Sequence, residues 1–202
     1  MPPSSVPIIG LLGGIASGKS HYARELQHLG CPVISADDLV SELYRRPEIL
    51  QTLSQWWGPQ VLLPDGTLNR PAVASLIFSD PTQRARLESL LHPHILSLCH
   101  NRTTAASRRN PPPPAIVWDI PLLLETHLDR HCSLLVFVDT PDLLRQSRAA
   151  ARGWPPGQLA QRELAQRPLT EKRQLAHLIV PGDAPQDAVH HHARQIVANV
   201  NP

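Results

Sequence analysis

The residues Gly13-Gly14-Ile15-Ala16-Ser17-Gly18-Lys19-Ser20 follow the spacing G-x-x-x-x-G-K-[ST], and no other stretch restricts the fold so strongly. A loop of this spacing serves its chemistry only between a buried strand and a helix. Both flanks are present. Val6 to Leu12 is an apolar run of strand length with Pro7 near its start. From His21 to Leu29, the residues Tyr22, Leu26 and Leu29 share one helical face. Glycines let the backbone wrap closely round an anion, so that amide N–H groups and the N-terminus of the new helix point at it. The expected ligand is a nucleotide polyphosphate, held by Gly13 to His21. Lys19 sets a point charge on the β and γ phosphates, and the Ser20 hydroxyl reaches Mg²⁺. The chain has 19 basic residues, and only Lys19 and Lys172 among them are lysines. A compact ammonium therefore stands at the one place where a planar arginine fork would not serve.

The rest of the chain repeats the same alternation. Cys31-Pro32-Val33-Ile34 is a second apolar run, ending at Ser35-Ala36-Asp37-Asp38, and a helix follows from Leu39 to Tyr44. Helices are expected over Glu48 to Trp57, Arg70 to Phe78, Pro81 to Leu91 and Pro93 to about Arg109, with Asp80-Pro81 as N-cap and first helical residue. Ala115 to Asp119 and Leu134 to Asp139 are further strands ending on an acid, and Leu178 to Val180 is a fifth. Pro141 to Arg152, Gln158 to Gln166 and Pro185 to Val200 read as helices. Continuous apolar strands alternating with helices predict a three-layer α/β fold, a five-stranded parallel sheet covered on both faces. Ligands on such sheets bind beyond the carboxyl ends of the strands. The phosphate loop, Asp37, Asp119 and Asp139 all fall at that edge.

Phosphoryl transfer needs a cradle for the donor, a metal, positive charge on the migrating group and a residue that orients the acceptor. Asp37 is the candidate for the last role, as a carboxylate that accepts a proton from an acceptor hydroxyl. Asp is also favoured as an N-cap, a role that suits Asp38 better. Asp119 ends its strand as a metal-orienting acid would, or as a cap of the following turn. Asp139 reads as structural. Arg145, Arg148 and Arg152 share a helical stripe that runs into the Gly/Pro-rich break at Gly153 to Gly157, with Arg162 and Arg167 beyond it. Arginines on such a segment can close over a transferring phosphate, or form a solvated face paired with Glu163 and Glu171. His92 beside Pro93 is a contact or a helix cap. His190-His191-His192 point in different directions on a helix and read as surface, and Trp56-Trp57 as core on one side and half-exposed on the other.

Composition excludes several classes. A net charge of +2 over 202 residues gives no footprint for non-specific nucleic-acid binding. No apolar stretch reaches the length of a membrane span. Met-Pro-Pro-Ser-Ser lacks the basic region of a signal peptide. Cys31, Cys99 and Cys132 are odd in number and widely spaced, as free thiols in a reducing compartment are. A cytoplasmic chain, monomeric or weakly oligomeric, is the expectation.

Several blocks together resemble the dephospho-CoA kinase family. They are the loop Gly13 to Ser20, Val33-Ile34-Ser35-Ala36-Asp37, Gly66-Thr67-Leu68-Asn69-Arg70, Leu91-His92-Pro93-His94-Ile95 and Ile120-Pro121-Leu122-Leu123-Leu124-Glu125. Downstream, Arg148, Arg152 and Gln166 to Lys172 are similar to the family's lid and the helix after it. The resemblance implies ATP as donor, Mg²⁺ as metal and the ribose 3′-hydroxyl of dephospho-coenzyme A as acceptor. It implies a single phosphate-loop kinase domain over 1–202, with a helical acceptor-binding insertion over 39–107 and a lid over 148–172. Asp37 matches the family's acid expected at the 3′-hydroxyl; Lys19, Arg148 and Arg152 complete the catalytic set. Arg70, His92, Pro121 and Arg162 are taken as acceptor contacts. Ser35, Ser41, His21, Arg145, His177 and Gly182 depart from the family's usual residues, and the last two bear on the adenine end of the ATP site. Other readings share the loop: a nucleoside or nucleotide kinase with another acceptor pocket, and a catalytically weak nucleotide-binding relative. A GTPase switch does not fit, because no Asn-Lys-x-Asp segment exists.

Overall fold

Strand β1, Ile8–Gly13, is buried at all six residues, as a strand must be when both faces of its sheet are covered. The computed structural model describes residues 6–164 and 166–201. These form two compact units, one built from the chain before Ala36 and after Arg102, the other from Ala36–Arg102.

In the first unit β1 is joined by β2 (Val33–Ser35), β3 (Ile116–Asp119), β4 (Leu134–Asp139) and β5 (Leu178–Pro181) in the order β2-β3-β1-β4-β5. Every pairing is parallel. Ile9 and Leu11 face one side, where they pack with Tyr22, Ala23 and Leu26 of α1 (Lys19–His28) and with a C-terminal helix at Val189, Ala193 and Ile196. Gly10 faces the other side. A Cβ there would stand 2.6 Å from Leu123 Cδ2 and 2.9 Å from Leu135 Cδ2, so the missing side chain is what lets Leu123 settle on the strand. The ladder aligns Gly13 with Val138 and Ser35 with Asp119, which brings the ends of β1 to β4 to one edge.

The second unit is helical: α2 (Ala36–Leu43), α3 (Pro47–Trp57), α4 (Arg70–Ser79) and α5 (Pro81–Ser107), whose last turns belong to the first unit. Its core is Leu43, Ile49, Leu53, Trp57, Val61, Leu68, Val73, Leu87 and Leu91. The Asn69 side chain accepts from the Ala72 amide and caps α4. Trp57 is core, its indole N–H donating to Gln83 at 2.7 Å. Trp56 is half-buried under the Arg86 guanidinium, 3.9 Å from the ring centre. The first unit continues with α6 (Asp142–Ala151), α7 (Gln158–Glu163), α8 (Leu169–Leu175) and α9 (Gln186–Val200).

Two expectations are corrected. Leu91 and Pro93 do not separate two helices; α5 runs through, with Pro93 inside it. A proline there removes one backbone hydrogen bond and crowds the preceding turn, at a cost of about 3 kcal/mol. Leu87 and Leu91, both buried in the core just ahead of it, hold that turn helical against the local penalty. His92 is therefore helix interior and caps nothing. The other correction is α2, which begins at Ala36, directly after β2. Asp37 and Asp38 both lie in its first turn, where carboxylates favour the positive end of the helix, and Asp38 is not an N-cap.

Candidate active site

Chain reversal between β1 and α1 depends on backbone that most residues avoid. Gly13 has φ +147° and Gly18 φ +94°, and Ala16 between them is held at φ 61°. A Cβ on Gly13 would lie 2.8 Å from Ser17 Oγ and 2.9 Å from the Val138 carbonyl of β4, so a side chain there would collide with both the loop and the neighbouring strand. The loop is braced from outside. Thr140 donates to the Ser17 carbonyl at 2.7 Å. The Arg148 guanidinium donates to the Ala16 carbonyl at 3.2 Å and the Gly182 carbonyl at 2.9 Å. Gly182 in turn donates to the Asp139 carbonyl at 2.6 Å. Sequence reasoning gave Thr140 no role and treated Gly182 only as a departure. A Cβ at Gly182 would overlap both Thr140 Oγ1 and the Ser17 carbonyl, so here glycine is a packing requirement.

The loop fits an anion. Helix α1 has no acidic residue in its first turn and no side-chain cap, so its positive end is not neutralised from within. Ser17 Oγ is buried and makes no hydrogen bond. Lys19 Nζ curls back onto the Gly13 and Gly14 carbonyls at 3.2 and 3.1 Å. Burial pulls the Lys19 pKa below 10.5, against the opposing pull of Asp119 and with a further push from Lys172. Ser20 and His21 are exposed at the start of α1, and Asp119 is half-buried at the end of β3. Ser20 and Asp119 are the residues that would hold Mg²⁺, which takes one or two protein oxygens and completes its shell with water and phosphate. Among the described residues no cluster of three or more His, Cys, Asp or Glu could hold a metal by itself.

The arginines divide. Arg148 braces the loop. Arg145, to which sequence reasoning gave the lesser role, is nearly fully buried and donates to the Ile15 carbonyl at 3.4 Å, to Asp142 at 2.5 Å and to Glu163. Arg152 is exposed at the end of α6, and Arg162 lies over the Trp154 ring at 4.1 Å. Arg167 pairs with Glu171 at 2.6 Å and Asp139 with Arg173 at 3.3 Å. Pro121 is exposed after β3, and its carbonyl faces Lys172 Nζ at 3.5 Å. Lys172 is buried, with Gln166 Oε1 at 2.9 Å and Glu125 at 3.4 Å. Sequence reasoning gave it no role of its own, although its rarity as a lysine was the available signal. In the helical unit Asp37 is exposed, Arg70 sits over the Tyr44 ring at 5.6 Å and His92 is half-buried. Two of the three consecutive histidines are not simply solvated. His190 pairs with Glu25 at 2.9 Å, and His192 meets the Tyr22 hydroxyl at 3.2 Å. The cysteines are free. No helix among the described residues is long and apolar enough to cross a membrane.

A parallel sheet with a glycine loop, a lysine turned into it and an uncapped helix N-terminus at its end is the phosphate-loop kinase fold. The comparisons narrow this class. Residues 7–187 match the family model described as Dephospho-CoA kinase. A dephospho-CoA kinase from Xanthomonas euvesicatoria pv. vesicatoria is 36% identical over 197 residues, 94% of this chain and 93% of that relative. A crystal structure of TT1252 from Thermus thermophilus superposes with a TM-score of 0.79 at 29% identity, over 96% of this chain and 97% of that one. A dephospho-CoA kinase from Campylobacter jejuni shares the fold at TM-score 0.68 and 18% identity, over 96% and 97% of the two chains. This chain belongs to the dephospho-CoA kinase family, ATP-binding transferases of coenzyme A biosynthesis.

Proposed function

We propose that this chain transfers the γ-phosphoryl group of ATP to the ribose 3′-hydroxyl of dephospho-coenzyme A, giving coenzyme A and ADP. One observation carries the reading. The braced loop from Gly13 to Ser20, with Lys19 turned into it, lies within a family match that runs from residue 7 to residue 187. In this reading the loop amides and Lys19 hold the β and γ phosphates, and Lys19 neutralises charge on the migrating group. Mg²⁺, held by Ser20 and Asp119, supplies further neutralisation of the phosphates when bound. Asp37 accepts the 3′-hydroxyl proton as the new P–O bond forms and the bond to ADP breaks. Arg148 and Arg152 stabilise the transferring charge, and Arg70, His92, Pro121 and Arg162 bind the acceptor. Residues 39–107 form the acceptor-binding insertion and 148–172 the lid of one kinase domain. The protein works in the cytoplasm as a monomer or weak oligomer.

A coupled ADP-release assay with dephospho-coenzyme A, AMP, CMP and nucleosides tests the reading. Turnover is expected with dephospho-coenzyme A. Turnover with a nucleotide or nucleoside alone would replace the acceptor, and no turnover with any would remove the enzymatic reading.

A further inference from the structure

The second of the chain's two lysines stands in the interior. Lys172 is 2% exposed, and a buried ammonium persists only where oxygens surround it. Its Nζ has Gln166 Oε1 at 2.9 Å, Glu125 Oε1 at 3.4 Å and the Pro121 carbonyl at 3.5 Å. Two of these oxygens come from the turn after β3, residues 121–127, and one from the segment between α7 and α8. The same Glu125 oxygen accepts from the Arg167 amide at 2.7 Å, while the other is buried without a hydrogen bond. The turn and the segment leading into α8 are thus joined through one ammonium and one carboxylate oxygen. Arg173, the next residue of α8, turns the other way and meets Asp139 at the end of β4 at 3.3 Å. Strand β1 runs between β3 and β4, and α8 packs against it. The helix straddles the strand that delivers the phosphate loop, fastened by Lys172 on one side and Arg173 on the other. Burial above all, and the charge of Lys172 with it, pull the Lys19 pKa below 10.5, which sets the two lysines in one electrostatic neighbourhood.

We infer that Lys172 is a positioning residue for phosphoryl transfer: through Glu125, Gln166 and the Pro121 carbonyl it roots the lid on the turn after β3. The inference rests on the kinase reading above, in which 148–172 is the lid, Asp119 meets Mg²⁺ and Pro121 meets the acceptor. Asp119 is the last residue of β3, just before Pro121, and Gln166 to Lys172 are the last residues of the lid. One buried ammonium therefore fixes the lid against the strand end that serves metal and acceptor. A residue that never touches substrate can govern the rate in this way, because an error of about 1 Å in a reacting group costs as much as 10²-fold. Arg173 is the weaker fastening. Its pair with Asp139 is 56% and 45% exposed, and water competes for both charges. The Lys172 pair is desolvated, so removing one partner leaves a charge with nothing to answer it.

The test uses the full chain as wild type, Lys172→Met, Glu125→Gln and the double variant, assayed at one temperature below every melting transition. Replacing both members of a buried pair is often neutral for stability, whereas removing one is not. The double variant should therefore melt nearer to wild type than Lys172→Met does. Its kcat with dephospho-coenzyme A and Mg²⁺-ATP should still stay as low as that of Lys172→Met, roughly 10–100-fold below wild type, while calorimetric ATP affinity holds. Recovery of kcat together with Tm in the double variant would make the pair structural and overturn the inference. A kcat equal to wild type in Lys172→Met, an ATP affinity that falls by the same factor as kcat, or loss of the fold in all three variants would do the same. Hydrogen exchange read by mass spectrometry separates the lid root from the choice of acceptor. Amides over 166–172 should exchange slowly in wild type and rapidly in the double variant; equal exchange would overturn the inference. Wild type that binds ATP but does not turn over dephospho-coenzyme A would overturn the acceptor reading alone.

Discussion

Replacing Gly182 by alanine probes how the end of β5 supports the phosphate loop. Gly182 is not among the left-handed glycines, so alanine meets no backbone strain there. By restricting the unfolded chain, the change would on its own stabilise by about 0.4–1 kcal/mol. Packing decides otherwise. The added Cβ overlaps Thr140 Oγ1 and the Ser17 carbonyl and stands 2.9 Å from Val138 Cγ1. None of these is the free end of a flexible side chain. Ser17 is loop backbone, Thr140 is fixed by its 2.7 Å bond to that carbonyl, and Val138 lies in a central strand. Overpacking of this kind costs about 1–3 kcal/mol. Two hydrogen bonds are displaced with it, Thr140 to Ser17 and Arg148 to Gly182, at about 1 kcal/mol each. The net loss is about 2–5 kcal/mol, which lowers Tm by roughly 4–18 °C for a chain of this size. Circular dichroism melts of both proteins measure it. The Gly182→Ala/Thr140→Ala double variant should be less damaged than the sum of the singles, since the clashing hydroxyl is gone. A Tm equal to wild type or above it would refute the close packing of β5 on the loop.

Lys19→Ala should lower the rate of phosphoryl transfer by about 10²–10⁵-fold with the fold intact, because it removes charge stabilisation in the transition state; turnover equal to wild type would show that the measured activity belongs to another protein. Asp37→Asn should reduce kcat far more than ATP affinity, as loss of a base acting in the transition state does; equal losses in steady-state kinetics and in titration would make Asp37 structural. Glu25 titrates below its ordinary 4.5, chiefly through its hydrogen bond with His190. A depressed carboxylate adds stability that is present above pH 4.5 and is lost as pH falls through the lower folded value. The drop in Tm between about pH 5 and pH 3 should therefore be smaller in Glu25→Gln than in wild type, and identical slopes would show that the clasp between α1 and α9 contributes nothing.

The parallel sheet was legible because its strands are continuous apolar runs, and β4 matches its expected bounds residue for residue. Helix boundaries near Pro93 and Asp37 were misread for one reason: local signals favoured a break or a cap, and packing or chain continuity outweighed them. Arg145 was visible as one of three arginines on a stripe. Nothing in its spacing showed that it, and not Arg152, would be buried against the loop. Glu163 was recognisable as a partner for arginine, but its hydrogen bond to Ile15 depends on how α7 folds back.

By itself, the sequence determined the strand–loop–helix from Ile8 to His28, the parallel sheet and the family, because periodicity and the loop's glycine and lysine spacing are local properties. Tertiary structure alone decided what surrounds the loop: Thr140 and Gly182 bracing it, Arg148 behind it, and the Arg145–Glu163 pair seated on Gly14. Those contacts join residues more than a hundred positions apart. Which side chain fills a shared space there is settled by close packing and burial of charge, and neither leaves a period in the chain.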